Sequence, residues 1–380
     1  MKKLVYFIFL VIVSCKSFKD YTSQKVTLTV NKSEEFSLDD NQIIIPLTIN
    51  NKRGNFIFDT GAMKSVLTDN EYVKSFTLNK ENYYTAIKVK GATGEYIKSN
   101  HFISDSITSK IIKGEKNIFR HIVFENKKTN CSEMTQKSNG IIGFDIFKNA
   151  AQPIILDFEN NNISVLNNEY STEGFSKLEA KIQLVTGNKI MIPFIIDGDE
   201  VDFLFDTGNN GGFLMNSKDS KISEDKKTLE CETLIGSIGN FSIEKIKMYK
   251  NVSVEYNIVN IKTNVSVFPK LTTNTVGIEF IKHFNWILDF NNGAIYLKQI
   301  KNFKNENSTA EIEKNKLKCI ALENKLIIGF KNLMFDSLLN AGDEIITVNN
   351  EKVTPENICQ IQDLLNKTED WNTLNIEVKK

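Results

Sequence analysis

One feature constrains this chain more than any other: a segment of about twenty residues occurs twice. Residues 43–61 read IIIPLTINNKRGNFIFDTG, and residues 190–208 read IMIPFIIDGDEVDFLFDTG. Pro46 aligns with Pro193, Phe58 with Phe205 and Asp59 with Asp206, at a constant offset of 147 residues and without a gap. Each copy alternates apolar and polar positions, breaks at a polar turn and becomes apolar again. That is the pattern of a β-hairpin whose second strand runs into Asp-Thr-Gly. A segment that recurs in this way marks one structural module used twice.

The correspondence extends beyond the hairpin. Residues 139–158 (NGIIGFDIFKNAAQPIILDF) and 274–290 (NTVGIEFIKHFNWILDF) each place two residues and a glycine, Gly143 or Gly277, before a short helix-like stretch. An apolar strand ending in Asp157 or Asp289 follows, then a turn and a last strand, NNNISVL at 160–166 and NNGAIYL at 291–297. Between these landmarks lie two candidate hairpins with glycine tips, at Gly91–Gly94 and Gly236–Gly239. Val, Ile, Phe and Thr dominate, as they do in strands. Residues 35–170 and 171–300 are therefore expected to be two copies of one all-β unit.

Two Asp-Thr-Gly loops at matched places need a reason. As a turn, the triplet is unremarkable: Asp bonds nearby backbone and Gly takes conformations closed to other residues. A turn alone does not explain why an apolar strand leads into an acid twice. Amide hydrolysis does, since it requires an activated water and a polarised carbonyl. Two carboxyls about 3 Å apart cannot both ionise, so one takes a proton from water while the other donates to the carbonyl. Glycine permits the tight loop, and a Thr hydroxyl can hold the partner loop in register.

With Phe58-Asp59-Thr60-Gly61-Ala62 and Phe205-Asp206-Thr207-Gly208 in place, and with Ile141-Ile142-Gly143 and Thr275-Val276-Gly277 behind them, the chain resembles the retropepsin-like and pepsin-like aspartic peptidases over about residues 40–298. The resemblance implies an all-β fold of two acid-protease β-barrel lobes related by a pseudo-twofold axis, with a peptide or protein substrate in the cleft between them. It implies that Asp59 and Asp206 form a catalytic dyad and that Thr60 and Thr207 make cross-loop hydrogen bonds. Gly61 and Gly208 would shape the loops, and the hairpins at Gly91, Gly94, Gly236 and Gly239 would be flaps. No metal or cofactor is implied. Asn209 departs from the usual Ser, Thr or Ala after the glycine. Its amide is expected to donate to a carboxylate and make Asp206 the more readily ionised member, since donors stabilise the charged form. The same departure keeps open a weakly active or inactive peptide-binding protein of this fold.

The first residues have another purpose. Lys2 and Lys3 precede an apolar run from Leu4 to Val13, and Ser14 precedes Cys15. The run is half the roughly 20 residues of a membrane-spanning helix, so it reads as a signal-peptide core, 1–14. Ile12-Val13-Ser14-Cys15 resembles a bacterial lipobox, which implies lipidation of Cys15, export, and attachment to the cell envelope at the outer membrane. Residues 15–34 would be a polar lipidated tether.

Formal net charge is zero, with 41% apolar and 25% charged residues. There is no basic run for nucleic acid. Cys131, Cys231, Cys319 and Cys359 show no Cys-x-x-Cys spacing, and the chain has only 3 histidines, so no zinc site is expected. Export permits disulfides, and Cys319 with Cys359 is one option inside the C-terminal region; isolated, partly buried thiols are the expectation.

Residues 301–315 are polar and read as a linker. In 316–380, Ala341-Gly342-Asp343-Glu344-Ile345-Ile346-Thr347-Val348-Asn349-Asn350 resembles a strand-turn segment of PDZ domains. The resemblance implies a small α+β PDZ-like domain able to take a peptide C-terminus at a sheet edge. Ile358–Leu365 has helical spacing, Leu374–Val378 alternates as a final strand, and Leu326–Phe330 is the candidate carboxylate-binding loop and strand.

Overall fold

A computed structural model describes residues 25–76, 83–90, 96–122, 131, 138–150, 152–183, 189–235, 242–256, 259–300, 317–322, 324–335 and 338–379. The signal-peptide core, Cys15, both glycine-tipped segments (91–94 and 236–239) and the 301–315 linker lie outside the described residues. Among the described residues no helix is long and apolar enough to cross a membrane.

Lobe 1 is built from β1 (Lys25–Leu28), β2 (Ser33–Glu35), β3 (Gln42–Ile49), β4 (Lys52–Asp59), β5 (Val66–Leu67), β6 (Tyr96–Thr108), β7 (Ile112–His121), β8 (Gly140–Gly143), α1 (Phe144–Ala150), β9 (Ile154–Asp157) and β10 (Asn162–Val165). Lobe 2 follows with β11 (Ser176–Leu178), β12 (Lys189–Ile196), β13 (Asp199–Phe205), β14 (Phe213–Asn216), β15 (Thr228–Ile235), β16 (Ser242–Tyr256), β17 (Val259–Phe268), β18 (Thr275–Val276), α2 (Ile278–Ile281), β19 (Phe284–Asp289) and β20 (Ala294–Gln299).

The repeated segments fold as expected into hairpins. Asn50 and Asn51 turn β3 into β4 with φ of 47° and 63°, and Asp197 and Gly198 turn β12 into β13 with φ of 52° and 97°. Two successive positive φ values are what a tight two-residue hairpin requires, and Asn, Asp and Gly tolerate them best. Along β4, Gly54, Phe56 and Phe58 face the core while Asn55, Ile57 and Asp59 alternate with them. The period of two thus buries Phe58 and turns Asp59 away from the barrel interior.

Each lobe closes into a barrel of six strands, in the same order. In lobe 1 the ring runs β3-β4-β8-β5-β7-β6 and closes where Thr48 and Ile49 pair with Thr108 and Ile107. In lobe 2 it runs β12-β13-β18-β14-β17-β16 and closes where Ile195 and Ile196 pair with Glu255 and Val254. Both rings use parallel pairs at the same two joints, β4–β8 with β5–β7, and β13–β18 with β14–β17. Closure leaves no free edges in the ring.

A six-stranded antiparallel sheet, β11-β20-β19-β9-β10-β2, joins the lobes. At its centre Ile154, Ile155 and Leu156 of lobe 1 pair with Leu288, Ile287 and Trp286 of lobe 2. The matched acids Asp157 and Asp289 end these strands. Each accepts two turn amides: Glu159 and Asn160 donate to Asp157, and Asn291 and Asn292 to Asp289, all at 3.0 Å. Their repetition is therefore turn chemistry.

Residues 25–34 correct the tether expectation. β1 pairs antiparallel with the start of β7, Val26 and Leu28 are buried, and β2 completes the joining sheet. These residues are part of lobe 1.

The C-terminal unit has its own core and comprises β21 (Leu317–Leu322), β22 (Lys325–Asn332), β23 (Glu344–Val348), α3 (Ile358–Lys367) and β24 (Ile376–Lys379). The helix and final strand fall where the pattern placed them. Leu326–Phe330 does not form a loop: it lies inside β22, paired with β21 on one side. The cysteines also differ from expectation. Cys131 and Cys359 form a disulfide across 228 residues, while Cys231 and Cys319 are free and buried. Cys319 faces the unit's core, with its Sγ 3.6 Å from Asn366 Oδ1 of α3, and Cys359 is already bonded to Cys131.

Candidate active site

Asp59 ends β4, and Asp206 stands one residue past β13. Behind each runs a short parallel strand: Gly143 of β8 lies opposite Asp59, and Val276 of β18 opposite Phe205. The preceding aromatics anchor the loops. Phe58 packs edge-on against Phe147 at 4.9 Å and Phe205 against Trp286 at 4.8 Å, each almost fully buried. Such edge-to-face pairs fix orientation as well as bury area.

Within each loop the carboxylate accepts from the backbone amides two and three residues further on. Gly61 and Ala62 donate to Asp59 Oδ1, both at 2.8 Å. Gly208 and Asn209 donate to Asp206 Oδ1 at 3.0 and 3.2 Å. Between loops the contact is reciprocal. The Thr60 amide donates to Thr207 Oγ1 at 3.0 Å, and the Thr207 amide to Thr60 Oγ1 at 3.1 Å. Each hydroxyl then donates onward across the lobes, Thr60 to the Phe205 carbonyl at 2.7 Å and Thr207 to the Phe58 carbonyl at 2.8 Å. Both threonines are buried, so these four bonds are made away from water.

The clamp brings the acids together. The Asp59 and Asp206 side chains hydrogen-bond to each other. The glycines face the opposite acid. A Cβ on Gly61 would stand 2.4 Å from Asp206 Oδ1, and one on Gly208 2.3 Å from Asp59 Cγ. No side chain fits at either position, which is why both copies carry glycine.

Burial pushes both carboxyls above the usual carboxylate range. The amides of each loop pull its own carboxyl back down, Ala62 and Gly61 for Asp59 and Gly208 and Asn209 for Asp206, while the negative charge of Asp59 pushes Asp206 further up. This reverses the expectation drawn from Asn209. Its side-chain amide does not reach Asp206: it donates to Thr275 Oγ1 at 2.9 Å and the Gly212 carbonyl at 3.2 Å, and its oxygen accepts from the Gly211 amide. With the shorter pair of amide donors, Asp59 is the member that holds the charge more readily. Both residues remain partly exposed, so a substrate can reach them.

Sequence reasoning missed the braces behind the loops, and they differ between lobes. In lobe 1, Ser65 donates its amide and hydroxyl to the buried Asp145 carboxylate, both at 2.9 Å, and its hydroxyl accepts from the Gly143 amide. Lys64 lies 3.7 Å from the same carboxylate. In lobe 2, Gly212 takes the position of Ser65, and Asn209 supplies the bracing bonds. The signal was a mismatch in the repeat, DTGAMKS against DTGNNGG. Among the described residues no group of His, Cys, Asp and Glu could hold a metal ion.

The model of the aspartyl protease family matches residues 45–146, from within β3 to within α1. The match takes in Asp59 and ends before lobe 2. It supports a peptide hydrolase, and the two closed barrels are lobes of the acid-protease kind. A search of curated proteins finds no match.

Proposed function

We propose that the protein is an aspartic endopeptidase in which Asp59 and Asp206 share one proton and activate a water between them. The observation that carries this reading is the buried Thr60–Thr207 clamp, which holds two carboxyls from separate lobes in hydrogen-bond contact. In the resting pair Asp206 carries the proton and Asp59 the charge. Asp59 takes a proton from the water as it attacks the peptide carbonyl, and Asp206 donates its proton to the carbonyl oxygen. In the collapse of the tetrahedral species the C–N bond breaks as the proton gained by Asp59 passes to the leaving nitrogen, and Asp206 takes a proton back from a hydroxyl of the diol, which restores the singly protonated pair. Proton transfer of this kind is worth about 10²–10⁴-fold, and positioning supplies much of the rest. Only the singly protonated pair does both jobs, so the reading predicts a bell-shaped profile whose two limbs belong to the pair.

Export and anchoring through a lipid on Cys15 complete the proposal, supported by the sequence pattern at 1–15. Lys2 and Lys3, the apolar run and Ser14-Cys15 would direct the chain to the envelope, where Cys15→Ala would release it into the soluble fraction.

The deciding experiment compares cleavage of an unfolded protein substrate by the intact chain and by Asp59→Asn across acidic and neutral pH. Turnover that disappears in the variant is the expected result. A wild-type protein that binds unfolded chains without cutting them at any pH would establish the non-catalytic alternative.

A further inference from the structure

Two sheet edges of the C-terminal unit that a partner strand could join are filled from within the chain. Along β21, the Cys319 amide donates to Asn366 Oδ1 at 2.9 Å, the Cys319 carbonyl accepts from Asn366 Nδ2 at 3.1 Å, and the Ala321 amide donates to Gln362 Oε1 at 2.9 Å. Both side chains come from α3. These three backbone groups, which an added peptide strand would pair with, are already satisfied, and displacing the bonds would leave half-buried amide side chains without these partners.

The edge of β22 is used differently. Its first half carries β23, and its second half pairs with β15 of lobe 2: Phe330, Lys331 and Asn332 lie opposite Thr233, Glu232 and Cys231. Further contacts reinforce the ladder. The Leu333 amide donates to the Glu230 carbonyl at 2.9 Å, and Thr233 Oγ1 donates to the Gly329 carbonyl at 3.3 Å. Phe330 packs on a small cluster outside the main core, formed by Leu229, Cys231, Ile246, Phe268 and Leu271. A Cβ on Gly342 would meet Ile243 Cδ1 of β16 at 2.2 Å, so the 340–343 turn sits directly on the second strand of the same hairpin. Separately, α3 is joined to lobe 1 through Cys359–Cys131, and Cys131 packs against the unit's core.

We propose that residues 317–379 are an internal brace that ties the β15–β16 hairpin of lobe 2 to lobe 1, with β15 as its bound strand, rather than a module that captures the end of another peptide. An edge strand left bare is a liability that proteins cover. Here the cover is a separately cored unit, held near its target by the chain itself, so that a short ladder suffices. The inference does not depend on hydrolysis and can fail or stand independently of it.

The test uses the full chain with a site for a sequence-specific protease inserted between residues 301 and 316. After cutting, the two pieces are expected to travel together on a denaturing gel without reductant. They should separate once dithiothreitol has supplied two electrons and two protons, released the Cys131 and Cys359 thiols and become its own cyclic disulfide. In native buffer the cut and reduced pieces are expected to co-elute through the β15–β22 ladder. In the uncut chain, Phe330→Glu should speed amide exchange across 228–235 by roughly tenfold or more and leave 204–208 unchanged. Separation without reductant would overturn the tie to lobe 1. Reduced pieces that elute apart, or exchange at 228–235 indifferent to Phe330→Glu in a chain with unchanged circular dichroism, would overturn the hold on lobe 2. Slower exchange at 317–322 on adding a pentapeptide with a free C-terminal carboxylate would overturn the closed edge.

Discussion

Thr60 and Thr207 each donate a backbone amide to the other's hydroxyl, at 3.0 and 3.1 Å, across 147 residues of sequence and the boundary between two barrels. Each hydroxyl also donates to a carbonyl of the opposite lobe. Removing one hydroxyl therefore breaks two bonds and strands a buried amide and a buried carbonyl. Thr60→Val should lower stability by about 2–4 kcal/mol, while Thr60→Ser should retain most of it. Urea unfolding of the two variants measures the difference, and equal losses would show that shape rather than the hydroxyl matters.

The glycines facing the acids predict a loss of activity without loss of fold. Gly61→Ala would press a methyl group against Asp206 Oδ1 and drive the carboxyls apart. A displacement of about 1 Å at reacting groups costs on the order of 100-fold, so kcat/KM should fall at least that far. Circular dichroism should be unchanged. A variant with near-normal turnover would mean that the pair need not be in contact.

Stability should depend on pH through the same pair. Both carboxyls are raised above their unfolded values, so between the usual carboxylate range and the raised values the folded chain binds more protons than the unfolded one. Stability is then full below the unfolded pKa and falls as pH rises through the folded values. Asp206→Asn removes the group raised further, so the variant should gain stability relative to the parent as pH rises from 4 toward neutrality. Parallel melting curves across that range would contradict the shared, buried proton.

Asn209 yields a prediction opposite to the one its sequence position suggests. Asn209→Ala removes bonds to Gly212 and Thr275 and the acceptor for the Gly211 amide, and touches no carboxylate. Stability should fall by about 1–3 kcal/mol, while the acidic limb of the pH–rate profile stays in place. A shifted limb would show that the amide reaches Asp206 when substrate is bound.

Cys231 and Cys319 should resist alkylation in the folded protein. Burial pushes both thiols up to about 12, and it is the thiolate that reacts. Mass spectrometry after iodoacetamide should find both unmodified until denaturant is added.

What could be read from the sequence was whatever is local. The alternation around Phe58 and Phe205, the turn pairs Asn50-Asn51 and Asp197-Gly198, and the Asp-Thr-Gly triplets each encode their own geometry within a few residues. Val26 and Leu28 also alternated, but their neighbours are polar, and the strand they join lies more than eighty residues away. Asn209 was legible as a departure but not in its orientation, because Thr275, its best partner, comes from another strand. The pairing of Cys131 with Cys359 left no trace in spacing, since it depends on where a separately cored unit docks. Asp145 and Ser65 were hidden for the same reason: the carboxylate answers a hydroxyl eighty residues earlier.

The joining sheet fixes when the molecule can first act. Its central pairing sets Ile154–Leu156 against Trp286–Leu288, so lobe 1 leaves the ribosome with that seam unmade and with Thr60 lacking the hydroxyl it must hold. Asp59 spends that interval as a solitary acid on a barrel rim. The two Asp-Thr-Gly loops meet only when the second barrel has been synthesised and has closed against the first, so on the proposed reading a nascent chain that ends before lobe 2 is expected to be inactive.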